Sequence, residues 1–122
     1  DPFMRDEILD ILDEFTRAED QSVLISSHIV SDLERLCDYI AYIDQGSLKL
    51  YEEKDRLIEQ YGILKCSKEE LKEFDEQAVK GVRKNSYGVE ALVDKLKMPK
   101  DYKTDMATLE EIIVFLSKGQ EE

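Results

Sequence analysis

His28 is the only histidine among 122 residues, and it stands directly after the apolar run Val23–Ser27. An imidazole there can donate a hydrogen bond to a phosphate oxygen, or change its charge near neutral pH. In open α/β sheets ligands bind beyond the carboxyl ends of strands, so the position suits a ligand contact. A loop histidine satisfied by its own backbone surroundings is the competing reading. A hydrolase triad would draw on Ser26 or Ser27 and on Asp32, but close sequence neighbours seldom reach triad geometry, and no G-x-S-x-G turn is present. The acidic run Asp6, Glu7, Asp10, Asp13 and Glu14 lies largely off the apolar stripe of its segment and reads as a solvated helix face. Cys37 and Cys66 have neither paired spacing nor a second histidine to complete a metal site, which points to buried free thiols in a reducing compartment. The sequence contains no G-x-x-x-x-G-K-[ST] loop, no G-x-G-x-x-G and no C-x-x-C, so these residues cannot cradle a nucleotide by themselves.

The elements that must position these groups follow from periodicity and caps. Asp1 can cap a helix with Pro2 at its first position, and Ile8, Ile11, Leu12 and Phe15 share the i, i+3, i+4, i+7 face expected to be buried. Val23–Ser27, apolar without alternation, predicts a central parallel strand covered on both faces. Ser31 with Glu34 forms a capping box ahead of a helix bearing Leu33, Leu36, Cys37 and Ile40. "IAYID" and "SLKLY" then predict two strands joined by a tight turn at Gln45-Gly46. A third helix carries Leu57, Ile58 and Tyr61, with Gly62 as its terminator. Beyond it come "ILKC", a helix capped by Ser67 with Glu70, strands near Val79–Lys84 and Tyr87–Val93, a polar connection, and a last helix capped by Thr108 with Glu111.

Charge divides the chain. Residues 1–61 carry 16 acidic and 6 basic side chains, a balance of −10, whereas residues 62–122 carry 13 and 11, a balance of −2. The expected domain boundary therefore falls at Tyr61-Gly62, with a β-α-β-β-α lobe of small α+β type in residues 62–122. The net charge of −12 argues against nucleic acid, whose binders need cations to release counterions. It also disfavours anionic lipid, and no apolar run approaches the roughly 20 residues of a spanning helix. Any membrane link is expected to run through a partner protein. The opening "DPFMRDE" has no initiator methionine and no secretory signal pattern, which suggests a cytoplasmic chain or a piece of a longer one.

In this order the features resemble a known family. The segment "DPFMRDEILDILDEF", followed by "SVLISSHIVSDLERLCDYIAYIDQGSL", is similar to the last portion of an ABC transporter ATP-binding subunit. There an Asp-Pro D-loop, a helix, a strand ending in Ser-Ser/Thr-His, a helix and a glycine-bearing hairpin follow one another. Residues 1–52 match that order. "MATLEEIIVFLSKG" looks like the ending of subunits that pair with bacterial exporter-type permeases, and the lobe before it resembles their accessory carboxyl-terminal lobe.

The resemblance implies an α/β fold: the truncated C-terminal part of a P-loop NTPase-type domain in 1–61, followed by the α+β lobe in 62–122. It implies that His28 is the H-loop histidine contacting the ATP γ-phosphate, that Ser27 precedes it as the pattern asks, and that Asp1 is the D-loop aspartate at the interface of two ATP-binding subunits. ATP and magnesium are the implied cofactors of the full-length protein. Its implied partners are a second ATP-binding subunit and a membrane permease, at the cytoplasmic face of the membrane. The chain departs from the family in lacking a Walker A loop, a Q-loop glutamine in context, an LSGGQ-type signature and a Walker B pair ahead of Asp1. ATP hydrolysis by this chain alone is therefore not expected. A free-standing regulatory or dimerisation module that binds a protein partner is the alternative function. Cutting a mid-sheet strand from its neighbours also predicts self-association of the chain into a homo-oligomer.

Overall fold

The computed structural model describes residues 2–118. The chain divides into two units, Asp1–Asp38 and Tyr39–Glu122. The charge boundary at Tyr61-Gly62 lies inside the second unit, within a strand.

The first unit holds two helices, α1 (Pro2–Phe15) and α2 (Val30–Leu36), joined by a segment with no regular structure. Helix α1 forms where its periodicity and Pro2 place it. Its expected apolar face is not buried, however: Ile8 and Ile11 are 53% and 64% exposed, and the helix buries only Leu9. An amphipathic stripe records which side of a helix is built to pack, and burial further requires a surface to pack against. The seven-residue α2, which buries none of its own residues, supplies little of one.

Two further expectations fail here for local reasons. Val23–Ser27 is not a strand, and Leu24 is fully exposed. Strand identity requires a neighbouring chain to take the N–H and C=O groups, and every ladder among the described residues is antiparallel and lies in the second unit. The parallel sheet of a P-loop domain is thus not what these residues form. The Ser31–Glu34 capping box is also not the start of α2, whose N-cap is Ile29 with no side-chain hydrogen bond. The hydroxyl that serves this turn belongs to Ser27, which accepts from the Ile29 N–H at 2.9 Å.

The second unit begins with a hairpin, β1 (Tyr39–Asp44) and β2 (Ser47–Glu53). Its turn, Gln45-Gly46, has positive φ at both positions (50° and 77°), the handedness that matches strand twist. Helix α3 (Lys54–Gln60) ends one residue before the expected Tyr61, which instead opens β3 (Tyr61–Cys66). Gly62 does not terminate the helix. It lies within the strand, where a Cβ would come within 2.6 Å of Thr104 Oγ1, so glycine permits the close approach of a neighbouring segment.

That segment contributes β6 (Asp105–Met106), one of the two edge strands of an antiparallel sheet ordered β4-β5-β3-β6, with β4 at Val79–Asn85 and β5 at Gly88–Asp94. Helix α5 (Leu109–Lys118) packs on β4, with Leu109 and Ile112 fully buried. Gly81 allows this contact, since a Cβ there would lie 2.7 Å from the Phe115 carbonyl oxygen. The opposite face centres on Leu64, Ala91 and Val93 and is covered by the one-turn helix α4 (Lys68–Leu71), by Phe74 and by Met98.

Candidate functional site

His28 lies on an exposed bend between the irregular segment and α2. The Ser27 hydroxyl accepts the Ile29 N–H across it, closing a local turn around the histidine's own backbone. The imidazole is thus solvent-facing at the entrance to a helix, with a fixed turn beneath it. Such a group can meet a phosphate oxygen arriving from solution. Asp1, the other residue singled out by the family resemblance, lies outside the described residues.

What holds this entrance in place is electrostatic. Asp32, on the first turn of α2, pairs with Arg5 of α1 at 3.2 Å. Arg35, on the last turn of α2, reaches two carboxylates of α1, Asp6 at 3.2 Å and Asp10. Asp6 and Asp10 stand four residues apart, so one helix face presents both to a single guanidinium. The acidic run is therefore not wholly given over to solvent: Asp6 and Asp10 clamp α2, and Asp13 pairs with Arg17 just past the end of α1. Sequence reasoning passed over Arg5 and Arg35, although the i, i+4 carboxylate pair was a usable signal for a bidentate partner.

The remaining candidates separate. Asp32 is taken by Arg5 and Ser27 by the backbone of Ile29, so neither is poised as part of a nucleophilic triad with His28. Cys37 and Cys66 are not joined in a disulfide and each is partly buried, and burial with Glu70 nearby pushes the Cys66 thiol above its ordinary pKa. Asp94, the one buried carboxylate among the described residues, accepts from Gln60 Nε2 at 3.1 Å and from the Leu96 N–H at 3.0 Å, a structural role at the end of β5. Among the described residues no group of histidine, cysteine and carboxylate side chains is arranged to hold a metal, and no helix is long and apolar enough to cross a membrane.

Against known proteins, no family model matches the chain and no solved structure matches it. Curated relatives match part of it. The lantibiotic transport ATP-binding protein SrtF of Streptococcus pyogenes is 38% identical over 55 residues, 45% of this chain and 24% of that protein. The ABC transporter ATP-binding protein YtrB of Bacillus subtilis is 33% identical over 61 residues, covering 50% of this chain and 21% of its own length. The uncharacterized ABC transporter ATP-binding protein YhcH of the same organism is 42% identical over 48 residues, 39% of this chain and 16% of its own length. The chain thus spans a quarter or less of the relatives it matches, and over up to half of its own length it is similar to ABC transporter ATP-binding proteins.

Proposed function

We propose that this chain is the carboxyl-terminal part of an ATP-binding subunit that powers an ABC exporter, with His28 as its contact to the γ-phosphate of ATP. The observation that carries the reading is the local identity to three transport ATP-binding proteins, at 33 to 42%. The exposed bend at His28 supports it, because an imidazole that must meet a phosphate has to face solvent until nucleotide arrives. When protonated or in its N–H tautomer, that ring supplies one preorganised donor to charge that builds on the transferred phosphoryl group. In the intact protein, ATP and magnesium would be held chiefly by residues outside this chain, Asp1 would stand at the contact between two ATP-binding subunits, and a permease would carry the coupling to the membrane. This chain alone would not turn over ATP.

The test uses the full-length protein. It is expected to hydrolyse magnesium-ATP, and His28→Ala is expected to cut turnover by roughly 100-fold, within the range a general catalytic donor contributes, while the protein stays folded. Failure of the full-length protein to bind ATP at all would overturn the reading and favour a regulatory module that binds a protein partner.

A further inference from the structure

The two faces of the four-stranded sheet are not equally covered. On one, α5 runs for ten residues and seals its contact. On the other, α4 makes a single turn, and the chain then wanders through residues 72–78 before entering β4. A one-turn helix cannot span a sheet face, and what it leaves is a cavity of about 780 Å³, within the size range of small-ligand pockets. Its apolar wall is made by Leu71, Phe74, Val82 and Val89. The first three are only partly buried against the core beneath them.

Charge on the lining of this cavity runs against the chain as a whole, although Glu69, Glu70, Glu73 and Asp75 of the same segment lie outside that lining. Lys68, Lys72 and Lys84 line it together with one acid, Glu76, in a protein whose net charge is −12. All three ammonium-bearing residues are exposed. Lys68 opens α4 and Lys72, four residues on, is its C-cap residue, a spacing at which like charges repel, and Lys84 comes from the far end of β4. An apolar wall lined also by three lysines is complementary to a molecule with an apolar body and one anionic head. A head group seated among the lysines would relieve their mutual repulsion while the body covers Leu71, Phe74 and Val82.

We infer that this cavity binds a single-chain amphiphile carrying a carboxylate or phosphate head, with the chain against Leu71, Phe74 and Val82 and the head among Lys68, Lys72 and Lys84. The site is independent of ATP and of His28. Decanoate, titrated as a monomer into the whole chain by calorimetry, is the probe, with decanol as its neutral counterpart. Decanoate is expected to bind one to one, and the triple variant Lys68→Gln, Lys72→Gln, Lys84→Gln to weaken it by roughly tenfold or more, the loss of about one charge-assisted contact. The equally neutralised triple Lys95→Gln, Lys97→Gln, Lys100→Gln, which lies outside the cavity lining, should leave binding within about twofold. Equal affinity for decanol and decanoate, or equal weakening by the two triples, would overturn the site. Phosphatidylcholine vesicles carrying oleate then separate the sources: capture that the cavity triple abolishes supports a single chain offered from a bilayer, and lysine-dependent decanoate binding without capture supports a free amphiphile.

Discussion

The two units of this chain solve opposite problems. The second buries Leu57, Leu92, Val93, Leu109 and Ile112 almost completely and satisfies its buried carboxylate with two hydrogen bonds. The first buries Leu9 alone among the residues of its helices and ties those helices with ion pairs that are exposed at Arg35 and partly shielded at Asp32. Exposed pairs contribute at most about 1 kcal/mol each, whereas burying one large aliphatic side chain contributes roughly 1.5–3 kcal/mol. The first unit therefore has orientation without much cohesion, and the second has both. The similarity to known proteins covers half of this chain or less and a quarter or less of each relative, and the apolar stripe of α1 finds little to pack against among the described residues of its own unit.

Core truncation should separate the units most sharply. Leu92→Ala or Ile112→Ala, each at a fully buried site, is expected to cost roughly 2–5 kcal/mol in urea unfolding followed by far-ultraviolet circular dichroism. Ile11→Ala, at a 64% exposed site on α1, is expected to change stability by no more than about 0.5 kcal/mol. Comparable losses from Ile11→Ala and Leu92→Ala would break the distinction.

The second expected effect concerns association. Met4, Ile8, Ile11 and Phe15 repeat at i, i+4, i+7 and i+11 on α1, and all are exposed. Contiguous apolar surface of this kind draws a second copy unless something else covers it. Sedimentation equilibrium is expected to show an oligomer that gains mass with concentration, and the double change Ile8→Glu, Ile11→Glu should shift it to monomer without altering helix content. A clean monomer at high concentration would remove the argument.

Legibility in the sequence follows the same division. The Ser67–Glu70 and Thr108–Glu111 boxes form as read, because a capping box is satisfied within one helical turn. The Gln45-Gly46 turn was legible for the same local reason. What could not be read depended on partners. Val23–Ser27 has strand composition and no ladder, and Tyr61 reads as helical because its apolar spacing continues that of Leu57 and Ile58, although β5 claims it for a strand through its pairing with Asp94. The two residues of β6 carry no strand signature of their own and pair only because Gly62 lets Thr104 approach. At the candidate site, the place of His28 after an apolar run was legible and its surroundings were not. The arginines that hold α2 against α1 act across roughly a helix and a loop of sequence.

The smallest expected effect tests whether the cohesion of the second unit extends to its polar margin, where β3 begins. Tyr61 pairs across the sheet with Asp94, and its phenol is raised above its ordinary pKa of about 10 by burial first, then by the nearby charges of Asp94 and Glu52. A phenol raised on folding keeps its proton in the native state at a pH where the unfolded chain has already released it. The native state then binds more protons than the unfolded one, so stability falls as pH rises. The contribution is fully present below about pH 10 and is lost from there up through the folded-state value. Cys66, raised by burial and by Glu70, acts in the same direction from a lower starting point. In a Cys66→Ala background, the urea midpoint should therefore still decline above about pH 10, and adding Tyr61→Phe should flatten that decline. The phenylalanine keeps the ring that packs at the α3–β3 junction and removes only the ionising group, so an unchanged slope would mean that the margin of this core is already open to water.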